Sequence, residues 1–182
     1  MARPINLILI HCAATPNGKS LFRGKAGEPG FQTPAEAIDG WHAQRGFRRD
    51  PAALPRLNPS LRSIGYHFLI YTNGQIVTGR HTDEIGAHCQ GYNQRSLGIC
   101  LIGTDKFTRA QWESLAYLQT SLAGKYPNAA WKGHRDMSPD QNRNGIVEPF
   151  EWLKVCPGFD VSAWLAGGKR PLANHLYEEV AP

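Results

Sequence analysis

No stretch of this 182-residue chain approaches the eighteen or so consecutive apolar residues that a membrane-spanning helix needs. The stretch from Ile5 to Ile10 is six residues long, too short for the core of a secretion signal, and no small-residue cleavage site follows it. The four cysteines, Cys12, Cys89, Cys100 and Cys156, form no CxxC pair and lack the spacing of a small disulfide scaffold. A reduced, cytoplasmic chain is therefore the default. Internal repeats and low-complexity tracts are also missing. So is any dense Lys/Arg cluster, although 20 basic against 15 acidic residues give a formal charge of +5 and a pI near 9.2. That excess favours attraction to polyanions in general. Phe47 to Pro51, the nearest thing to a basic cluster, reads as a solvated loop, so neither nucleic acid nor a stable membrane association is expected.

What remains fits one globular domain, long enough to bury a core. Ile5 to Ile10 reads as a strand buried on both faces, ending at His11. Thr33-Pro34-Ala35-Glu36 is a helix start, with Thr33 as N-cap and Glu36 three residues on, and Gly46 ends that helix. Trp41 is its core anchor. Phe47 to Ser63 carries three prolines and four arginines without an apolar period, as in a long surface excursion. Gly65 to Tyr71, Asn73-Gly74 and Gln75 to Val77 spell a β-hairpin. Leu97 to Ile102 is another buried strand, Thr108 to Tyr126 a helix with a Thr108/Gln111 capping box, Ala129 to Lys132 a short strand, and Asp160 to Leu165 a last short helix. Strands interleaved with helices indicate an α/β domain over residues 1–166, a central mixed β-sheet flanked by helices, with 167–182 as a loosely packed tail.

Chemistry concentrates between His134 and Cys156. A thiolate and an imidazole both suit zinc, and a catalytic zinc needs only three protein ligands. His11 and His134 each end a strand, where neighbouring strands of one sheet would set them side by side. The alternative is a set of satisfied core residues. Tyr66 and His67 point to opposite faces, so at most one of them can face a site on one side of the sheet. His88 and Asn93 lie in a polar, glycine-containing loop.

Taken together, ILIHCAAT, GYHFLIYTNGQIVTGR, GAHCQGYNQRSLGICLIG, GHRD and KVCPGFDV resemble, in order, the zinc-dependent N-acetylmuramoyl-L-alanine amidases of the type-2 class. That class includes phage endolysins and the related peptidoglycan-recognition proteins. The resemblance implies a peptidoglycan-recognition-protein-like fold and a zinc ion held by His11, His134 and Cys156, with Tyr66 and Lys154 as the catalytic pair. It also implies peptidoglycan as substrate, cut between N-acetylmuramic acid and L-alanine. The cysteine ligand and the lysine two residues before it are similar to the phage branch. His88 and Asn93 are the expected substrate contacts, and His67 is a negative control. A monomer that waits in the cytoplasm until released to the wall is expected; a wall-fragment recycling amidase and a non-catalytic peptidoglycan-binding module are the alternatives.

Inside the stretch from His134 to Cys156, residues 140–151 match the twelve-residue loop of an EF-hand. Asp140, Asn142, Asn144, Glu148 and Glu151 would supply side-chain oxygens, Ile146 its carbonyl, and Gly145 the sharp turn. Weak Ca2+ binding is the expectation, since only three of these side chains are acidic. An Asn/Gly-rich turn followed by a short helix is the plain alternative.

Overall fold

The computed structural model describes residues 3–178. Five strands form one sheet in the order β3-β2-β4-β1-β5: β1 (Leu7–Cys12), β2 (Phe68–Ile70), β3 (Ile76–Thr78), β4 (Ser96–Leu101) and β5 (Ala130–Gly133). All neighbours run parallel except β3, which turns back on β2 as an antiparallel edge. The expected mixed α/β architecture is thus present. Asn73-Gly74 makes the hairpin turn: Gly74 has φ +84°, and Asn73 Oδ1 accepts the Gln75 N–H at 3.0 Å.

Strand alternation sends Ile8 and Ile10 to one face and Leu7 and Leu9 to the other. The first face packs, with Leu97, Ile99 and Leu101, against Trp112, Leu115, Leu118 and Leu122 of α2 (Arg109–Lys125) and Trp164 of α3 (Val161–Ala166). On the opposite face, Leu69, Tyr71 and Ile102 meet Ala35 and Ile38 of α1 (Pro34–Gln44), with half-buried Trp41 at the margin. Both capping boxes are present, Thr33 with Glu36 and Thr108 with Gln111. Gln111 also lends its amide N–H to the Ile102 carbonyl at 2.8 Å, tying the start of α2 to the end of β4.

Three expectations need correction. β1 runs two residues further than expected, so His11 lies inside the ladder opposite Cys100. In the Phe47 to Pro51 stretch Arg48, Asp50 and Pro51 are exposed as in a solvated loop, but Arg49 is buried, pairs with Glu84 at 2.8 Å and donates to the Leu57, Asn58 and Leu61 carbonyls at 2.9 Å each. Arg80 approaches the same carboxylate at 3.5 Å, so two buried arginines and one glutamate pin the long excursion to the domain. The tail is packed rather than loose as far as it is described. Leu172 and Leu176 join the α2 face of the core, and Tyr177 N–H donates to the Phe107 carbonyl at 2.8 Å. Residues 179–182 lie outside the described residues.

Candidate active site

β1 and β5 are parallel neighbours, with Ile10 opposite Gly133. Their C-terminal ends therefore bring His11 and the residue after Gly133, His134, to one sheet edge, the usual place for sites in open α/β sheets. Alternation turns His11 to the face of Leu7 and Leu9, away from α2. His134 opens a single 3₁₀ turn, His134–Met137, held by Asp136, whose carboxylate accepts the Gly133 N–H at 2.7 Å. Arg135 N–H then donates to the Cys156 carbonyl at 2.8 Å, drawing the distant 140–158 segment onto the strand end.

The result is a compact trio. His11 Nδ1 and His134 Nδ1 are 3.1 Å apart, and one ligand atom each from His11, His134 and Cys156 fall within 4.8 Å of one another. Among the described residues no other group of three His, Cys, Asp or Glu side chains converges in this way. A tetrahedral ion with Zn–N bonds of about 2.0–2.1 Å sets two imidazole nitrogens about 3.3 Å apart, so the donor set fits zinc in spacing and in type. Burial pushes the His11 imidazole well below its ordinary 6.5, with His88, His134 and the Lys154 charge adding to the effect. His134 is pushed down to about 4 by burial and by Lys154. Both rings are thus neutral bases at neutral pH, as metal ligation requires. The Cys12 thiol and burial push the Cys156 thiol up, so a cation held there must displace its proton. Cys12 also contributes its backbone, the Cys12 N–H donating to Cys156 Sγ at 3.2 Å. Nothing in the sequence signals that backbone contact.

Beside the trio lies a cleft of about 530 Å³, with His88, Asn93, His134, Met137, Leu153 and Lys154 on its walls. Lys154 is exposed. Tyr66 stacks obliquely on His11, ring centroids 5.2 Å apart, and burial followed by the Cys100 and Cys156 thiols pushes its phenol well above 10. His88 reaches inward, its Nδ1 lying 3.1 Å from His11 Nε2. Asn93 Oδ1 is already used, accepting the His88 and Cys89 N–H groups at 2.9 Å each, so only its amide N–H₂ remains for a ligand. His67 is fully buried behind them, its Nδ1 accepting the Gly98 N–H at 3.0 Å.

The 140–151 loop turns the Asp140 and Glu151 carboxylates to backbone donors. Gly145 N–H donates to Asp140 Oδ2 at 2.7 Å, and Glu151, buried, accepts from Gln141, Asn142 and Glu148 N–H groups at 2.7, 3.1 and 2.8 Å. Glu148 accepts from the Asn142 and Asn144 side chains.

Fold and trio together define a single-sheet α/β protein whose His-His-Cys trio, a donor set suited to a metal ion, lies beside a cleft. Residues 1–158 match the N-acetylmuramoyl-L-alanine amidase family. The chain is 30% identical over 165 residues to the endolysin of Escherichia phage T7, covering 86% of this chain and 83% of that one. It superimposes on the endolysin amidase LysCS of Clostridium intestinale with a TM-score of 0.62 at 26% identity, covering 93% of this chain and 87% of that one. Drosophila PGRP-LB shares the fold, with a TM-score of 0.57 at 22% identity over 97% of this chain and 87% of that one. This chain belongs to the N-acetylmuramoyl-L-alanine amidase family, as an amidase of the type-2 class with phage endolysins among its relatives.

Proposed function

We propose that the protein is a zinc-dependent peptidoglycan amidase that hydrolyses the amide between N-acetylmuramic acid and the L-alanine of the stem peptide. It would act as a phage or prophage lysis enzyme, monomeric and held in the cytoplasm until released to the wall. The observation that carries this is the His11, His134 and Cys156 trio at one end of a cleft that also presents Lys154. Three protein ligands leave a fourth position open, which a structural zinc site would fill with protein. A peptidoglycan binder that does not cut needs neither that open site nor Lys154.

When bound, zinc supplies Lewis acidity toward the amide carbonyl and brings the pKa of a water toward about 7. The protein's own groups do the rest. The Lys154 ammonium, on the cleft wall with His134, stabilises the oxyanion that forms as the carbonyl is attacked. Tyr66, its phenol raised by burial, keeps its proton at neutral pH and is a hydrogen-bond donor to the same oxygen. Asn93 offers its amide N–H₂ and His88 the face of its ring to the stem peptide along the cleft wall. For the 140–151 loop the proposal is calcium, with Asp140 and Glu151 turning from backbone N–H groups, and Glu148 from the Asn142 and Asn144 side-chain amides, to the ion, which keeps the affinity weak.

The test is hydrolysis of purified cell walls. Release of free amino termini without new reducing sugar is the expected outcome. Reducing sugar without amino termini would assign a glycosidase, and intact walls binding the protein would assign a recognition module.

A further inference from the structure

His11 can ligate a metal through Nδ1 only if its proton sits on Nε2, and the structure shows what puts it there. Ser96 Oγ, fully buried, lies 2.9 Å from the Tyr92 carbonyl. A carbonyl only accepts, so the serine hydrogen is spent on it. Ser96 Oγ is then an acceptor toward His88 Nε2, 3.4 Å away, which places the His88 proton on Nε2 and leaves Nδ1 bare. Bare Nδ1 accepts from His11 Nε2 at 3.1 Å, and His11 Nδ1 is left bare as well, 3.1 Å from His134 Nδ1. Each step follows from the one before, starting at a backbone carbonyl whose role cannot change.

The surroundings of His88 hold its ring in that register. A Cβ on Gly98 would come within 2.7 Å of its Cγ and Cδ2, and one on Gly86 within 2.5 Å of its Cδ2. At both positions a side chain would collide with the imidazole, so the two glycines leave the room that the ring occupies. Asn93 Oδ1 fixes the backbone N–H of His88 itself at 2.9 Å. Gly86, Ser96 and Gly98 therefore converge on the ring and Asn93 on the backbone of one residue.

Resting on the zinc reading above, we infer that His88 is a positioning residue of the metal site: with Ser96 and the Tyr92 carbonyl it forms a proton-ordered relay that fixes His11 in the Nε2–H tautomer and turns Nδ1 to the metal. Partners of this kind outside the ligand set typically contribute about 10- to 100-fold in metal affinity.

Zinc affinity is measured by chelator competition on wild type, His88→Leu and His88→Asn, with a melting curve on each apo-protein. The leucine variant should bind zinc 10- to 100-fold more weakly. Asparagine, whose side-chain oxygen can take the place of Nδ1, should recover most of the loss. Equal zinc affinity in wild type and His88→Leu overturns the relay and leaves His88 as a cleft-wall residue only. Equal loss in both variants at matched melting temperatures also overturns it. Long-range ¹H–¹⁵N spectra of the wild-type rings need no variant: His88 and His11 should both be Nε2–H tautomers, and an Nδ1–H signal for His88 refutes the assignment. If the wild type binds no zinc, the zinc reading fails while the tautomer spectra still judge the relay.

Discussion

Acid should weaken this fold through two histidines that are not metal ligands. His42 and His67 are buried, and each uses Nδ1 to accept a backbone N–H, from Gly65 at 2.9 Å and Gly98 at 3.0 Å. Burial first, then neighbouring arginine charge, pushes His42 down to about 4; for His67 burial outweighs the Glu84 carbonyl, which favours the cation, and the value falls to about 3. The unfolded chain takes up protons near 6.5 while the folded one does not, so stability falls as pH drops below 6.5 toward those folded values. At 1.36 kcal/mol per unit, pH 5 lies about 1.5 units below the unfolded pKa, and each ring then costs about 2 kcal/mol. Together that is about 4 kcal/mol, a large share of the 5–15 kcal/mol typical of a domain. Urea unfolding at pH 7 and pH 5 measures it, with His42→Asn as the comparison, since asparagine can accept the Gly65 N–H without titrating. The variant should lose about 2 kcal/mol of the difference between the two pH values, the share of one ring. An unchanged difference between the two pH values in His42→Asn would refute the assignment.

Three further outcomes are expected. Lys154→Met should lower kcat on cell-wall substrate by about 100- to 1000-fold, with KM changed much less, because a transition-state donor is removed; a KM-only effect would make Lys154 a binding group. Glu84→Gln should destabilise the fold by about 3–5 kcal/mol in urea unfolding, since it leaves the Arg49 and Arg80 guanidinium groups buried around a neutral amide; a loss under 1 kcal/mol would mean that the carbonyl partners suffice. Calcium should raise the melting temperature of zinc-loaded wild type relative to chelator and leave Glu151→Gln unmoved, and no shift in the wild type removes calcium from the 140–151 loop.

Much of the scaffold was legible because local chemistry and tertiary structure agree in it. Asn73-Gly74 set the hairpin, Thr33 and Thr108 set two helix starts, and the apolar runs around Leu9 and Ile99 could only be interior strands. The two histidines met because His11 lies near the end of β1, His134 directly follows β5, and the two strands are parallel neighbours. What escaped depends on partners far away in the chain. Arg49 looked like a solvated charge, and only Glu84, 35 residues on, makes it a buried one. Leu172 and Leu176 are isolated apolar residues with no period, yet they pack against α2 through a strand-like pairing of Phe107 with Leu176. Cys12 belongs to no cysteine motif, yet its backbone N–H meets Cys156 144 residues on. His88 was legible as a polar group in a loop, but its inward bond to His11 is set by a glycine slot that no periodicity announces.

The measurement closest to the central claim is metal content alongside activity. Wild-type protein should bind one zinc per chain with release of a thiol proton. Removing that zinc should stop the liberation of amino termini from purified walls, and re-addition should restore it. Cys156→Ser should lose tight zinc binding and hydrolysis together. Full hydrolysis by the zinc-stripped wild type, or undiminished zinc affinity and activity in Cys156→Ser, would contradict a catalytic zinc held by His11, His134 and Cys156.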